Sequence, residues 1–376
     1  MPSTETDDDS VRSVLRKGPA PEAKAVPARQ ASARAQAPTQ ADSGTTPTPP
    51  ALLPPAGRAS NAGGLVGKTL GRFQFISELG RGASGSVFLA QHLTLGIPVA
   101  VKVLSSQLAM LDARHIERFQ QEARAAMRLS HPGIVRVHDL DLVDGLYLIV
   151  MEYVDGMTVA DHIKLSGAMP ESLALVVTKG VAEALEAALE ERIIHRDVKP
   201  ANIMLTKTRR VKLADLGLAK ALGSGDRLGE TGVNAILGTP HYFSPEQARD
   251  AASVDHRADI YSLGCTLYHM LTGHVPYQGS GLSDVIRQHE SAPIPDARAE
   301  RPELSRRAAD LARWMMAKDV SQRPQDYATV INAIQRCIVD PEPEELHAAS
   351  AGSPRTSGIL RRFITNVLGD EKPTRA

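Results

Sequence analysis

The sequence has little of what a secreted, membrane-spanning or broadly cationic protein needs. Only two of its 376 residues are cysteines, Cys265 and Cys337, which excludes a disulfide framework and indicates a reducing compartment. The 43 basic residues equal the 43 acidic ones, so no global positive charge points to nucleic acid. No run approaches the roughly 18–20 apolar residues of a membrane helix. We therefore expect a cytoplasmic protein with no transmembrane segment and no nucleic-acid partner.

Aromatic residues are also scarce, and their placement divides the chain. There are six Phe, seven Tyr and one Trp, and the first of them is Phe73. The first 68 residues instead hold ten of the 25 prolines. Such a stretch cannot bury enough apolar surface to offset backbone ordering, at about 1–2 kcal/mol per residue. We predict a disordered leader over residues 1–72, a folded domain over 73–338 and a tail over 339–376.

The hydrophobic patterns of the folded domain predict two lobes. Strand-like runs come first, interrupted by a helical pattern over residues 112–129, and the remainder after residue 156 is mostly helical. The expected class is therefore α+β: an N-lobe (73–153) with an antiparallel sheet and one helix, and a mainly helical C-lobe (154–338). The predicted N-lobe strands are 73–79, 85–92, 99–104, 135–142 and 146–153.

A glycine-rich segment joins the first two predicted strands. Gly80, Gly82, Gly85 and Val87 form G-x-G-x-x-G-x-V, and the segment after it is a strand rather than the helix of a dinucleotide-binding unit. Glycines in such a flap let the backbone approach phosphates closely. A plain hairpin turn is the alternative. The phosphate interpretation is favoured by Lys102 in the next strand, because a buried ammonium requires an anionic partner.

Glu122, in the helical pattern that follows, is a candidate partner for Lys102. Two other interpretations remain open for it. Glu122 could belong to a solvated helix face together with Glu117, or it could pair with Arg118 four residues earlier.

The most specific signal is the run His195-Arg196-Asp197-Val198-Lys199-Pro200-Ala201-Asn202. It lies between two apolar runs, a position that places ionisable groups on a rigidly held loop. Asp215 follows a short predicted strand and precedes Gly217. The oxygens of Asn202 and Asp215 suit Mg²⁺, an ion that remains bound to substrate phosphates.

These motifs, present together and in order, resemble a protein kinase of the eukaryotic-like (bacterial Hanks-type) Ser/Thr group. The resemblance covers residues 73–338. It implies ATP and Mg²⁺ as cofactors and transfer of the γ-phosphoryl to Ser or Thr hydroxyls of protein substrates. In this family pattern Asp197 is the catalytic base, Lys199 lies near the γ-phosphate, and Lys102 holds the α- and β-phosphates.

The same resemblance implies the rest of the site. Lys102 would also pair with Glu122, and Asn202 and Asp215 would hold the magnesium ions. Met151 matches the gatekeeper, and the Glu152 carbonyl and Val154 N–H would bond the adenine edge. The phosphates would be covered by Gly80, Arg81, Gly82, Ala83, Ser84, Gly85 and Ser86. The adenine ring would be sandwiched by Leu79, Val87, Ala100 and Met204, for which plain core packing is the alternative.

The resemblance extends to regulation and to peptide docking. Thr239 lies in a turn that resembles the substrate-docking turn, and Ser244-Pro245-Glu246 stands where the family has Ala-Pro-Glu. Glu246 would pair with Arg323. Arg196 would receive a phosphate from the activation segment, so we predict autophosphorylation there, at Thr231 in particular.

Two further implications concern Asp259 and Leu216. Asp259 would bond the catalytic-loop backbone from a buried helix. Leu216 replaces the family's usual Phe after the metal-binding Asp, with no expected loss of competence.

The sequence disfavours two other functions. A pseudokinase would lack one of the reactive groups, but Lys102, Asp197, Asn202 and Asp215 are all present. An enzyme that phosphorylates small-molecule hydroxyls is disfavoured by the peptide-docking elements. The tail carries an amphipathic pattern over residues 358–368, which predicts a helix that docks on the kinase domain, on a partner or on a membrane surface.

Overall fold

The N-terminal part of the folded region forms a six-stranded antiparallel sheet. The structure is a computed structural model, in which residues 64–82, 85–104, 120, 123–216, 240–250 and 254–339 are described. The strand order is β1-β2-β3-β4-β6-β5. The strands are β1 (Thr69–Leu70), β2 (Phe73–Gly82), β3 (Gly85–His92), β4 (Ile97–Leu104), β5 (Val137–Val143) and β6 (Leu146–Glu152).

Both faces of the central strands are buried, which explains their almost continuous apolar sequence. One face packs in a cluster that includes Phe73, Phe88 and Val101, and the other packs in a cluster with Ala123 and Ala126. These two alanines belong to residues 123–128, which are helical. Leu129, the last residue of the predicted N-lobe helix, is described but not helical, and the part of that helix before Ala123 lies outside the described residues, apart from position 120.

The sheet begins before the predicted boundary at Phe73. Leu70 pairs with Phe73, and Thr69 pairs with Gln74. Leu70 is only 8% exposed and joins the cluster around Phe73. Residues 69–72 therefore belong to the sheet and not to the leader. The two-residue strand and its Gly71 turn, with φ of 56°, contain no aromatic residue and too few positions for an alternating pattern to be recognised.

The C-lobe is mainly helical and adds a small three-stranded sheet in the order β7-β8-β9. Helices α2 and α4 lie at the centre of its core, where α4 is buried along most of its length. This arrangement confirms the predicted two-lobed α+β class. The strands are β7 (Gly156–Thr158), β8 (Ile203–Thr206) and β9 (Val211–Leu213). The helices are α1 (Val159–Ser166), α2 (Glu171–Glu190), α3 (Pro245–Arg249), α4 (Arg257–Thr272), α5 (Leu282–Ser291), α6 (Ala297–Glu300), α7 (Arg306–Met315) and α8 (Tyr327–Val339).

Backbone hydrogen bonds join the two lobes beside the segment that connects them. Leu213 of β9 forms a parallel bridge with Ile134 of the N-lobe. The Val135 N–H donates to the Leu213 carbonyl at 2.9 Å, and the Leu213 N–H donates to the Gly133 carbonyl at 2.8 Å. The bridge holds the end of β9 against the N-lobe, and Asp215 follows two residues later. In the described part of the chain, no helix combines the length and apolarity required to cross a bilayer.

Candidate active site

The catalytic loop, residues 195–202, lies between α2 and β8 and ends in a short 3-10 helix, Pro200–Asn202. Lys199 Nζ donates to Asp197 Oδ2 at 2.8 Å, and Asn202 Nδ2 donates to the same oxygen at 3.1 Å. Asn202 Nδ2 also lies 2.8 Å from the Asp197 carbonyl oxygen. The structure thus brings these three predicted residues together, and Asp197 and Lys199 stay partly exposed, so that a substrate can approach them.

The backbone of the loop is held from inside the C-lobe by Asp259 on α4. Its carboxylate is 1% exposed. It accepts the His195 N–H and the Arg196 N–H, each at 2.7 Å. His195 Nε2 lies 3.0 Å from the Ala214 carbonyl oxygen, which connects the loop to the end of β9. Asp259 therefore occupies the position that the sequence resemblance implied.

Lys102 and Asp215 form an ion pair between the lobes. Lys102 Nζ lies 2.9 Å from Asp215 Oδ2, and the lysine side chain is 4% exposed. Burial of Asp215 acts to raise its pKa, but Lys102, with smaller contributions from His195 and Lys199, holds the pKa below its usual value. Glu122 lies outside the described residues, so its pairing with Lys102 stays a prediction.

The two proposed metal ligands flank the β8–β9 hairpin. Asn202 immediately precedes β8 and Asp215 lies two residues after β9. The Ala214 N–H donates to the Asn202 carbonyl at 2.8 Å, which holds the two ends of the hairpin together. Among the described residues no three His, Cys, Asp or Glu side chains form a metal cluster. An amide and a carboxylate oxygen fit Mg²⁺, which typically takes one or two carboxylates plus substrate phosphates.

The glycine-rich segment forms the β2–β3 hairpin. Gly80 pairs with Val87, Arg81 with Ser86, and Gly82 with Gly85. A Cβ on Gly85 would lie 2.1 Å from the Val103 carbonyl oxygen, whereas Cβ atoms on Gly80 or Gly82 would meet nothing within 4 Å. Gly85 is therefore required by the sheet itself, while the open space at the other two leaves their backbone accessible to a ligand. Ala83 and Ser84 lie outside the described residues.

The residues predicted to surround adenine form one apolar cluster drawn from both lobes. Ala100, Met151 and Val154 are buried in it. Leu79, Val87 and Met204 are only partly buried against it. Because these last three keep apolar surface that the described residues do not cover, their positions favour a ring-binding cleft over plain core packing.

Glu152 also takes part in an ion pair that the sequence reasoning missed. Its Oε2 lies 2.9 Å from Lys212 Nζ on β9 and 3.4 Å from the Arg136 N–H nitrogen. A lysine between Val211 and Leu213 of an apolar strand signals a specific partner, but nothing local in the sequence identifies Glu152.

In the C-lobe, Glu246 of α3 and Arg323 form the expected ion pair. The two guanidinium nitrogens lie 2.6 and 2.8 Å from the two carboxylate oxygens. Arg323 is 2% exposed and also donates to the carbonyls of Ala317, Arg257 and Lys318. Residues 217–239, with Thr231 and Thr239, lie outside the described residues.

Comparison with known proteins agrees with this architecture. The family model described as "Protein kinase domain" matches residues 73–335. The chain is 36% identical over 260 residues to the serine/threonine-protein kinase PrkC of Bacillus subtilis, covering 69% of this chain and 39% of that protein. It is 40% identical over 304 residues to PknB of Mycobacterium tuberculosis, covering 79% of this chain and 47% of that protein.

Solved structures give the same result. The PknI kinase domain of Mycobacterium tuberculosis matches with a TM-score of 0.57 and 32% identity, over 72% of this chain and 98% of that one. Rad53, residues 1–466 in complex with AMP-PNP, matches with a TM-score of 0.58 and 27% identity, over 71% of this chain and 66% of that one.

The chain belongs to the protein kinase family, and it carries a kinase domain of the bacterial Ser/Thr type. It spans half the length, or less, of the first curated relatives that it matches.

Proposed function

We propose that this protein is an active serine/threonine kinase that transfers the γ-phosphoryl of ATP to Ser or Thr hydroxyls of proteins, with Mg²⁺ as the metal. The observation that carries the proposal is that two polar groups lie on segments tied to each other, because Ala214, next to Asp215, is hydrogen-bonded to both Asn202 and His195 of the catalytic loop. One is Asp197 with Lys199 and Asn202, and the other is Lys102 with Asp215. A binding module on the same fold would not require all of these reactive groups.

Each residue has a role that follows from its chemistry. Asp197 accepts the proton of the attacking hydroxyl, and Lys199, already bonded to it, neutralises charge near the transferred phosphoryl. Lys102 supplies a buried positive charge for the α- and β-phosphates. Asn202 and Asp215 are the oxygen ligands for the metal, which would neutralise phosphate charge when bound. Rad53, whose structure this chain resembles, was solved in complex with AMP-PNP, which supports nucleotide binding by this chain.

Phosphoryl transfer to a generic protein acceptor from radiolabelled ATP tests this function. We expect wild-type protein with Mg²⁺ to label the acceptor, and chelation by EDTA to abolish labelling. Asp197→Ala should reduce the rate by about 10²–10⁴-fold, since it removes the base. Lys102→Ala should also lose most activity, while Asp310→Ala, on an exposed part of α7, should keep it. Labelling by the first two variants at the wild-type rate would refute the assignment.

We also propose that the protein autophosphorylates in its activation segment, at Thr231. Arg196 directly precedes the base, and a phosphate opposite an arginine forms charge-assisted hydrogen bonds that order a loop. Phosphopeptide mapping of active protein should find phosphate between residues 221 and 238. Its absence there in fully active enzyme would contradict this part of the proposal.

A further inference from the structure

Gln247 connects helix α3 to the catalytic loop through its side-chain amide. Its Oε1 accepts the Ser244 N–H at 3.0 Å, and its own N–H donates to Ser244 Oγ at 3.3 Å. These two contacts form the capping box of α3. Its Nε2 donates to the Arg196 carbonyl at 2.9 Å. Gln247 is 8% exposed, so these bonds are shielded from water.

The carbonyl that Gln247 contacts belongs to an unusual residue. Arg196 has a φ of 62°, in the left-handed region that residues other than glycine adopt only at an energetic cost. Its N–H is held by Asp259 at 2.7 Å, and its C=O is held by Gln247. The two bonds fix the backbone on both sides of the residue that precedes Asp197. These two bonds restrain the backbone from which the Asp197 side chain leaves, in addition to the bonds that its carboxylate accepts from Lys199 and Asn202.

Gln247 is itself held in place by its neighbour. Glu246 is bound by both terminal nitrogens of the buried Arg323. Helix α3 is thus anchored to the C-lobe core, and the Gln247 side-chain amide joins this anchored helix to the Arg196 carbonyl. A primary amide suits the position because it accepts from Ser244 and donates to Arg196 at once.

We propose that Gln247 is a positioning residue, which sets the orientation of the base Asp197 through the Arg196 carbonyl. The inference rests on the proposed kinase function. A glutamate at this position keeps the acceptor for Ser244, but its carboxylate cannot donate to Arg196 and faces the carbonyl oxygen with a negative charge. A methionine preserves the length and removes both bonds. Both changes leave the nucleotide-binding residues intact.

Steady-state kinetics of Gln247→Glu and Gln247→Met, with ADP-binding titrations of each, test the proposal. We expect kcat per ADP-binding site to fall about 10- to 100-fold, the range for a misplaced catalytic group. The KM for ATP and the ADP affinity should stay within about twofold of wild type, because the adenine cleft is unchanged. Counting ADP-binding sites restricts the comparison to folded protein.

Ser305→Ala provides the matched control. Ser305 is the N-cap of α7, is 6% exposed and lies outside the catalytic loop. It should lose stability, as capping changes do, and retain kcat per site. The proposal is overturned if either Gln247 variant keeps the wild-type kcat per ADP-binding site, because its activity then falls only with the number of folded molecules. A wild-type protein that neither binds ADP nor labels an acceptor would instead refute the kinase function.

Discussion

Glu152 Oε2 lies 2.9 Å from Lys212 Nζ, in an ion pair that joins the last strand of the N-lobe sheet to β9 of the C-lobe. Lys212 is directly opposite Met204 in the β8–β9 pair, so both side chains leave the sheet on the same face. Lys212 Nζ also lies 3.4 Å from the Ile134 carbonyl oxygen. The pair therefore restrains the segment that would bind the adenine edge.

Lys212→Met should raise the KM for ATP about three- to tenfold and leave kcat at saturating ATP within about twofold. The backbone at Glu152 loses its restraint, whereas the catalytic loop does not change. Initial rates across an ATP titration measure both parameters. Because the two residues act as a pair, adding Glu152→Gln should produce little further effect.

The exposed pair between Lys207 and Asp155 is the control for this experiment. Its atoms lie 2.8 Å apart, at the turn after β8 and in the connecting segment. Exposed ion pairs contribute little, so Lys207→Met should keep the wild-type KM. Equal KM values for Lys212→Met and the wild type would show that the Glu152 pair has no positioning role.

Arg323→Met should lower the free energy of unfolding by about 3–5 kcal/mol, because it leaves Glu246 without its buried cation. The exposed pair of Arg313 and Asp296, at 3.0 Å, gives the comparison. Arg313→Met should change the free energy by no more than about 0.5 kcal/mol. Urea unfolding of the three proteins measures the difference, and a cost at Arg323 as small as that at Arg313 would contradict the expectation.

Gly85→Ala and Gly82→Ala should have opposite consequences. Gly85 has a φ of 141°, and an added Cβ would lie 2.1 Å from the Val103 carbonyl, so the N-lobe should be destabilised. Gly82 has open space, so the protein should keep its thermal midpoint but bind ATP more weakly if phosphates approach that backbone. Thermal unfolding and the KM for ATP separate the two effects. A normal midpoint for Gly85→Ala would show that the close contact is not present in solution.

Acid should destabilise the C-lobe through the buried His289 and the half-buried His269. Burial, helped by Lys318, lowers the pKa of His289 to about 3, and burial with the nearby His274 lowers that of His269 to about 4. In the unfolded chain both accept a proton near pH 6.5. At a pH between the folded and the unfolded pKa, each histidine is protonated in the unfolded chain and neutral in the folded protein. Each histidine therefore reduces the free energy of unfolding by roughly 1.4 kcal/mol per unit as the pH falls from about 6.5 toward the folded pKa.

Urea titrations at pH 7, 6 and 5 measure this slope. His289→Gln should unfold with a shallower dependence on pH than the wild type. Identical slopes would show that His289 does not remain neutral in the folded protein.

Much of the fold and of the catalytic loop follows from the sequence, for different reasons. Short strand-like apolar runs predict β2 to β6 within a few residues, since such a run is a local feature of the sequence. Asp197, Lys199 and Asn202 were placed together because they share one run of eight residues. By contrast, the contact of Gln247 with Arg196, separated by 51 positions, depends on how a helix meets a distant loop. No local pattern encodes that choice of partner.

Lys102 illustrates the same limit. A lysine in an apolar strand requires an anionic partner, and the family resemblance implies that this partner is Glu122. The structure places Asp215 at 2.9 Å, on a segment 113 residues away that follows another strand. The need for a partner is local, but the identity of the partner is a property of the packed lobes.

The β8–β9 hairpin has a consequence for protein engineering. Its Asn202 and Ala214 ends are joined by a backbone bond, and Thr206 and Arg210 close it at the far end. The turn between them, residues 207–209, lies beyond this closing bond and includes Arg209 with a φ of 65°. A change in the length of this turn would therefore leave the distance between Asn202 and Asp215 unchanged. The turn is therefore a suitable site for inserting a fluorophore or an affinity tag without changing the spacing of the two proposed metal ligands.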